Sequence, residues 1–449
     1  MHFIDDFAAR AKNYISSINN QPVYPTEASV QGLAAFDTAL QQEALGENEI
    51  LKLLDDIGSS ATVTSTGGRY FGFVIGGCLP AAMAAKLLAT VWDQNAGLTV
   101  MSPVASKLET VAAKWLLEIF DLPADCGFGF VTGDTMANFT ALAAARHQLL
   151  KNAGWDVEAN GLFHAPEITV IVGEEVHVSV LKALSMLGFG RDRVIRVPAD
   201  DQGRMRIEEM PFISGPTIIC TQAGNVNTGS FDPVEETCLK FKNKNVWVHV
   251  DAAFGLWAAA SDHKKYLVQG MELADSWATD AHKWLNAPYD CGIVFVRNNA
   301  ALFAAMSASA AYLPADGMRE ALQYVPEMSR QARAIPVWAA IKSLGKKGLA
   351  EMVDRNCRQA VQFADALTAA GYSVLNDVVL NQVLVSFGDA TTTIHVIKKV
   401  QEEGICWCGG TVWQGHTAMR ISVSSWCTTA EDVEQSLESI IKQAKSIAG

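Results

Sequence analysis

The chain has 449 residues, 49% of them hydrophobic and 18% charged, a balance that supports a sizeable packed interior and excludes an extended disordered protein. Its formal net charge is −13 and it carries no long lysine or arginine block, which argues against nucleic acid or an anionic membrane as partner and for small molecules. Nine cysteines are scattered from Cys78 to Cys427, and the opening MHFIDDFAAR carries acids where a secretory leader carries bases, so reduced thiols and a cytoplasmic home are expected.

Helical periodicity runs first over FIDDFAARAKNYISSI and then over LQQEALGENEILKLLDDIG, with Pro22 and Pro25 in the loop between them. The apolar run LPAAMAAKLLATVW is interrupted by Lys86 and falls short of a membrane span. After the turn TSTGGRYFGF, helical segments such as VASKLETVAAKWLLEIF alternate with short apolar runs at 128–131, 168–172, 217–221, 246–250 and 292–296. Continuous apolar runs spaced by helices predict a mostly parallel sheet covered on both faces, hence an α/β core. From Gly345 the pattern becomes a helix over DRNCRQAVQFADALTAAG, strands in YSVLN and QVLVSF, a helix over TTIHVIKKVQEEG, a strand near MRISVS and a last helix. The expected division is an N-terminal helical segment (1–60), a large α/β domain (61–344) and a small C-terminal α+β domain (345–449).

Four features fall at the ends of predicted strands, where open α/β sheets hold ligands. In VTGDTMAN (131–138) a small-residue turn feeds a helix N-terminus, which suits a phosphate; the plain alternative is a turn capped by Asp134 or Thr135. In EVHVS (175–179) His177 offers a ring to stack on a planar ligand and Ser179 a donor to a phosphate or to the histidine; the alternative is a capped helix start with a satisfied histidine. In VWVHVDAAFG, Asp251 ends an apolar strand, where a carboxylate needs a cation or a proton. A ring nitrogen that must stay protonated meets that need, and Mg²⁺ competes, although no second acid lies close in sequence. In TDAHKWLN (279–286), Lys283 follows Asp251 after room for one helix and one strand, which brings both to one sheet edge. Burial disfavours the ammonium form, and a neutral amine condenses with an aldehyde. Phosphate cradle, stacking ring, ring-nitrogen carboxylate and amine together make the set that pyridoxal phosphate requires. The Cys406-Trp-Cys408 pair has no second pair nearby and reads as two ordinary thiols, so no metal is expected.

On HVDAAFG, DAHKWLN, the VHVSV histidine, GNVNTGSFDP (224–233) and EMSRQARAIPVWAAIKSLG (327–345), the chain resembles the group II pyridoxal-phosphate-dependent decarboxylases, the family of aromatic amino acid and glutamate decarboxylases, from about residue 60 onward. The resemblance implies the aspartate aminotransferase fold (PLP fold type I), pyridoxal 5'-phosphate as cofactor, an L-amino acid as substrate, and a homodimer with interfacial active sites. It implies Lys283 as the amine that holds the cofactor, Asp251 at its ring nitrogen, and His177 stacked on its ring with Ala253 below. Gly133, Asp134 and Thr135 become the phosphate turn, Thr279 and His282 neighbours facing the phosphate, and Asn225 or Asn227 the contact to the ring oxygen. Two departures stand out. The family's loop tyrosine, a proton donor, falls near Ala321, leaving Tyr312, Tyr324, His177 or Lys283 for that role, and Asp134 stands where small neutral residues are usual. An acid beside a phosphate repels it unless it points away as a helix cap. An aminotransferase or an aldehyde-forming enzyme would use the same four groups, the former with Arg420 on the α-carboxylate, while the intact lysine and aspartate speak against an idle partner protein. Aromatic residues of RYFGF (69–73) and Trp92 suit an aromatic substrate and Arg69 an acidic one; ordinary core packing is their plain explanation.

Overall fold

A computed structural model describes residues 2–309 and 319–448. They form two compact units: residues 78–361 with 376–382, and residues 1–77 with 362–375 and 383–449. The N-terminal helices therefore share a unit with the C-terminal residues. The boundary anticipated at 345 is a break at Gly345 inside the helical stretch Ala334–Ala369, where φ is 60°, and the chain stays in the first unit up to residue 361.

The larger unit is built on seven strands: β1 (Gly127–Val131), β2 (Thr169–Gly173), β3 (Ile195–Val197), β4 (Thr217–Gln222), β5 (Val246–Asp251), β6 (Ser276–Asp280) and β7 (Gly292–Val296). Their order is β1-β7-β6-β5-β4-β2-β3; β2 through β6 pair in parallel, and β7 runs antiparallel to both neighbours. Five of the seven were legible as apolar runs. β3 is too short and exposed, and β6 (SWATD) too polar, to stand out as such a run. Between β5 and β6 the expected helix is replaced by three short 3₁₀ turns, Gly255–Ala260, Lys265–Val268 and Met271–Leu273.

Pairing register decides where the chemistry collects. Asp251 pairs with Gln222 and with Ala278, while Gly292 pairs with Val131 on one side and Asp280 on the other. The C-terminal ends of β1, β4, β5 and β6 thus open on one edge, together with the start of β7. The helix Asp134–Asn152 packs on β5, β6 and β7 through a face of alanine and leucine that is almost wholly buried. Gly292 permits this close approach, because a Cβ there would lie 2.4 Å from the Gly133 carbonyl carbon.

In the other unit, β8 (Ser373–Val374), β9 (Gln382–Ser386), β10 (Gly409–Trp413) and β11 (His416–Ser422) form a sheet in the order β10-β11-β9-β8, with helices Ala390–Glu403 and Ala430–Ala448. The N-terminal helix spans His2–Ser17, but the second predicted helix is shorter, Glu47–Leu53. Gly46 starts it, with its N–H donating to the Glu49 carboxylate at 3.0 Å. Among the described residues no helix is long and apolar enough to cross a membrane.

Candidate active site

Lys283 owes its position to the two residues after it. Trp284 and Leu285 are fully buried, and the indole N–H of Trp284 donates to Asn356 Oδ1 at 2.9 Å, which pins the turn after β6 to the interior. The lysine stem is covered while a fifth of the side chain still meets solvent, and Nζ lies 3.1 Å from Asp280 Oδ2. Burial lowers the affinity of this amine for its proton, but Asp280, Asp134 and Asp251 together outweigh burial and hold it above the usual lysine range. The sequence led us to expect the opposite direction; three carboxylates converging on one amine reverse it.

Those carboxylates come from three strand ends. Asp251 closes β5 and is raised well above the ordinary carboxyl range by burial and by the nearby charge of Asp134. Asp280 closes β6, and burial raises it too, against the pull of Lys283. Asp134 opens the helix after β1; burial and Asp280 raise it, while Lys283, His177 and a hydrogen bond from Ser179 work the other way. It does not cap that helix: Gly133 is the cap residue, and the carboxylate turns inward, where Oδ2 accepts from Asn138 Nδ2 at 2.8 Å and from Ser179 Oγ at 3.1 Å. Asp134 Oδ1 and Asp280 Oδ1 are buried with no hydrogen-bond partner. Ligand-capable atoms of Asp134, His177 and Asp251 lie within 4.8 Å of one another, so the second acid that the sequence near Asp251 lacked arrives from the helix start after β1.

A chain of hydrogen bonds beneath the site fixes its polarity. Trp247 Nε1 donates to Ser276 Oγ at 2.8 Å, so the Ser276 hydroxyl proton goes to His249 Nδ1 at 2.9 Å, and His249 Nε2–H donates to Asn138 Oδ1 at 2.7 Å. The Asn138 amide nitrogen then donates to Asp134 Oδ2 at 2.8 Å and also faces Ser179 Oγ at 3.3 Å and Asp251 Oδ2 at 3.5 Å. His249 is fully buried, and burial pushes its pKa down to about 3, so it stays neutral. Asn138, His249 and Asp280 escaped the sequence reading. Asn138 and Asp280 had a usable signal: one lies four residues after Asp134 on the same helix face, the other three before Lys283.

The remaining anticipated residues divide. His177 starts the helix Val178–Met186, with Nδ1 2.7 Å from Ser179 Oγ and 3.3 Å from the Ser179 N–H. His282 accepts from the Cys291 N–H at 3.2 Å, lies beside Gly133, and stacks on Tyr289 with ring centroids 4.3 Å apart; burial and Lys283 push its pKa down to about 4. The half-buried Gly133 and Thr135 flank Asp134 in the turn. The Ala253 N–H donates to Asp251 Oδ1 at 3.3 Å, and its carbonyl accepts from buried Thr279 at 3.4 Å. Asn225 organises its own loop, its Oδ1 accepting from the N–H groups of Asn227 and Thr228; Asn227 is the more accessible of the two. Tyr324 needs correction as a proton donor: it packs in the core, with Phe303 on its ring at 5.7 Å and the Arg319 guanidinium at 4.4 Å. Ala321 is buried as well, and Tyr312 lies outside the described residues. Arg420, on β11, is half-buried rather than a surface arginine.

These groups fit pyridoxal phosphate. Asp251 is a buried carboxyl in want of a cation, Lys283 an amine with a base beside it, and a 19-residue helix starts at the Gly133 turn with its positive dipole end there. A Cβ at Gly133 would sit in ordinary contact with His282 Cε1 at 3.4 Å and 3.8 Å from Asp280 Oδ1, so this turn faces the residues around Lys283. Asp134 is the discordant member, and its inward hydrogen bonds hold one of its oxygens off that turn.

Comparison with known proteins agrees. The model of a family described as the pyridoxal-dependent decarboxylase conserved domain matches residues 30–388. An L-2,4-diaminobutyrate decarboxylase of Rhizobium meliloti (strain 1021) is 28% identical over 388 residues, covering 82% of this chain and 76% of its own. An aromatic-L-amino-acid decarboxylase of Bacillus atrophaeus is 26% identical over 386 residues, covering 81% and 77%. Among solved structures, Oryza sativa TDC with PLP and tryptamine superposes with a TM-score of 0.92 at 19% identity, covering 100% of this chain and 98% of its own. Mouse CSAD superposes at 0.87, also at 19% identity, over 98% of both chains. At such identities the structural likeness speaks to the fold.

Proposed function

The chain belongs to the pyridoxal-dependent decarboxylase family and is a pyridoxal-phosphate-dependent amino acid decarboxylase, and from that premise we propose which residues do the work and on what substrate. Lys283 is the amine that holds the cofactor, Asp251 pairs with its ring nitrogen, and His177 stacks over its ring. The turn from Gly133 to Thr135, with His282, receives its phosphate, and Asn227 rather than Asn225 meets its ring oxygen. The observation that carries this reading is Lys283 Nζ held 3.1 Å from Asp280 at the strand edge where Asp251 and Asp134 also end.

Pyridoxal phosphate, when bound, supplies an aldehyde that takes up an amine and a ring that draws off the electron pair left as CO₂ departs. Each protein group then has a task set by charge. Asp280 accepts the Lys283 proton at Oδ2, which exposes the nitrogen lone pair for bonding. Asp251 retains negative charge opposite the ring nitrogen and so keeps that nitrogen protonated. Neutral His282 adds no repulsion to an approaching amine and offers Nε2 toward Asp280 at 3.5 Å. The proton that replaces CO₂ on the substrate travels by way of His177 Nε2.

Among L-amino acids an aromatic one is the proposed substrate. Arg69 is the one basic residue the sequence offered for an acidic side chain, and its guanidinium is bound by Asn19 O at 2.6 Å, Gln435 Oε1 at 2.9 Å and, more distantly, Asp432. Phe73 is 58% exposed and stacks on Trp407. A homodimer in a reducing, cytoplasmic compartment completes the proposal. In its support, none of the nine cysteines is joined in a disulfide, and apolar side chains stand exposed both on the helix Pro80–Trp92 and the loop after it (Val91, Val100, Met101) and on the N-terminal helix (Phe3, Ile4, Ile15).

The test is a screen of L-amino acids with paired detection of CO₂ and of the carbonyl product. CO₂ with the corresponding amine, largest for tryptophan, tyrosine or phenylalanine, is expected. CO₂ from aspartate, glutamate or 2,4-diaminobutyrate alone would overturn the substrate assignment, and aldehyde with CO₂ would overturn the assigned proton route.

A further inference from the structure

Asp134 is a buried acid to which neither phosphate binding nor helix capping gives a role. Its Oδ2 accepts from Ser179 Oγ at 3.1 Å, and Ser179 Oγ lies 2.7 Å from His177 Nδ1. A hydroxyl has one proton, so two arrangements compete. In one, Nδ1 carries no proton, accepts from the Ser179 N–H at 3.3 Å, and the hydroxyl donates to it as well; His177 is then just the helix cap. In the other, Nδ1–H donates to Ser179 Oγ and the hydroxyl donates to Asp134. The amide nitrogen of Asn138, oriented from below by His249, donates to Asp134 Oδ2 at 2.8 Å and also lies 3.3 Å from Ser179 Oγ; with the Lys283 charge it works against the burial that raises Asp134 and favours the carboxylate, which takes the Ser179 hydroxyl proton in a hydrogen bond and selects the second arrangement.

We infer that Asp134, acting through Ser179, fixes the proton of His177 on Nδ1 and thereby confines proton exchange of that ring to Nε2. This rests on the proposed place of His177 over the cofactor ring. Nε2 then takes a proton from solvent and returns it to the carbon from which CO₂ has left, so each turnover consumes one solvent proton and leaves the imidazole neutral. Asp134 and Ser179 are positioning residues. The other charged or titratable groups facing the relay are Asp251 from β5, Asp280, His282 and Lys283 from β6 and its turn, and Glu175 before the helix.

The experiment is nitrogen NMR of the holoenzyme carrying ¹⁵N-labelled histidine, with the His177 signal assigned through His177→Gln, alongside pH–rate profiles. In the wild type the ring proton is expected on Nδ1. In Ser179→Ala and Asp134→Asn it should move to Nε2, with kcat lowered about tenfold or more, KM within about twofold, and an altered pH profile. Ser179→Thr, which restores the hydroxyl, should restore both. A wild-type proton on Nε2, or an unmoved tautomer in the folded Ser179→Ala and Asp134→Asn proteins, would overturn the relay. Unchanged turnover in His177→Gln would instead remove the catalytic reading of His177, and the tautomer result would still decide the relay.

Discussion

At the scale of single residues, the site is governed by an excess of buried acid over base. Asp251, Asp280 and Asp134 surround one lysine, and burial raises all three. Asp251→Asn should therefore retain cofactor, because Lys283 remains, yet lose about 100-fold or more in kcat, since an amide does not hold a ring nitrogen protonated. Absorbance of bound cofactor and steady-state rates check the two halves separately. His249 makes a prediction for stability. Its folded pKa of about 3 lies below the ordinary 6.5, so its contribution is present above 6.5 and is lost as pH falls toward 3, on the order of a few kcal/mol in all. Asp232 and Asp275, raised by burial to about 6, act in the opposite direction between the ordinary carboxyl range and 6. Urea midpoints of the wild type and His249→Gln at pH 7 and pH 5 test this: the fall between them should be smaller in the variant, and an equal fall would contradict the assignment.

Elements bring these residues together through register and through two close contacts. Trp284→Ala removes a fully buried indole and its bond to Asn356, and should cost about 3–5 kcal/mol by chemical denaturation while loosening the lysine. Gly292→Ala drives a Cβ into the Gly133 backbone and should shift the phosphate turn, weakening cofactor binding about tenfold or more in a fluorescence titration without unfolding the sheet. How far the sequence foretells this depends on the type of signal. Asp251 and Lys283 were legible because each interrupts an apolar context, and the apolar runs of β1, β2, β4, β5 and β7 marked their strands within a residue or so. The link between β5 and β6 was not, since 3₁₀ turns rich in alanine and leucine share the composition of a helix. The inward turn of Asp134 was hidden too, because Ser179, which donates to it, lies 45 positions away, beyond any local pattern, and just Asn138 lies one helical turn on.

For the molecule as a whole, a mostly parallel sheet delivers one amine and three carboxylates to a single edge, and we propose that this edge serves pyridoxal phosphate chemistry. The exposed apolar side chains of both units predict association: light scattering should give twice the 48.4 kDa chain mass, and a monomer that remains active would remove the interfacial site from the account. The amine itself is tested most directly by borohydride reduction of the holoenzyme followed by peptide mass mapping. One pyridoxyl adduct, on Lys283 within TDAHKWLN, is the predicted result. An adduct on a different lysine, or a protein that takes up no cofactor when it is offered, would contradict it.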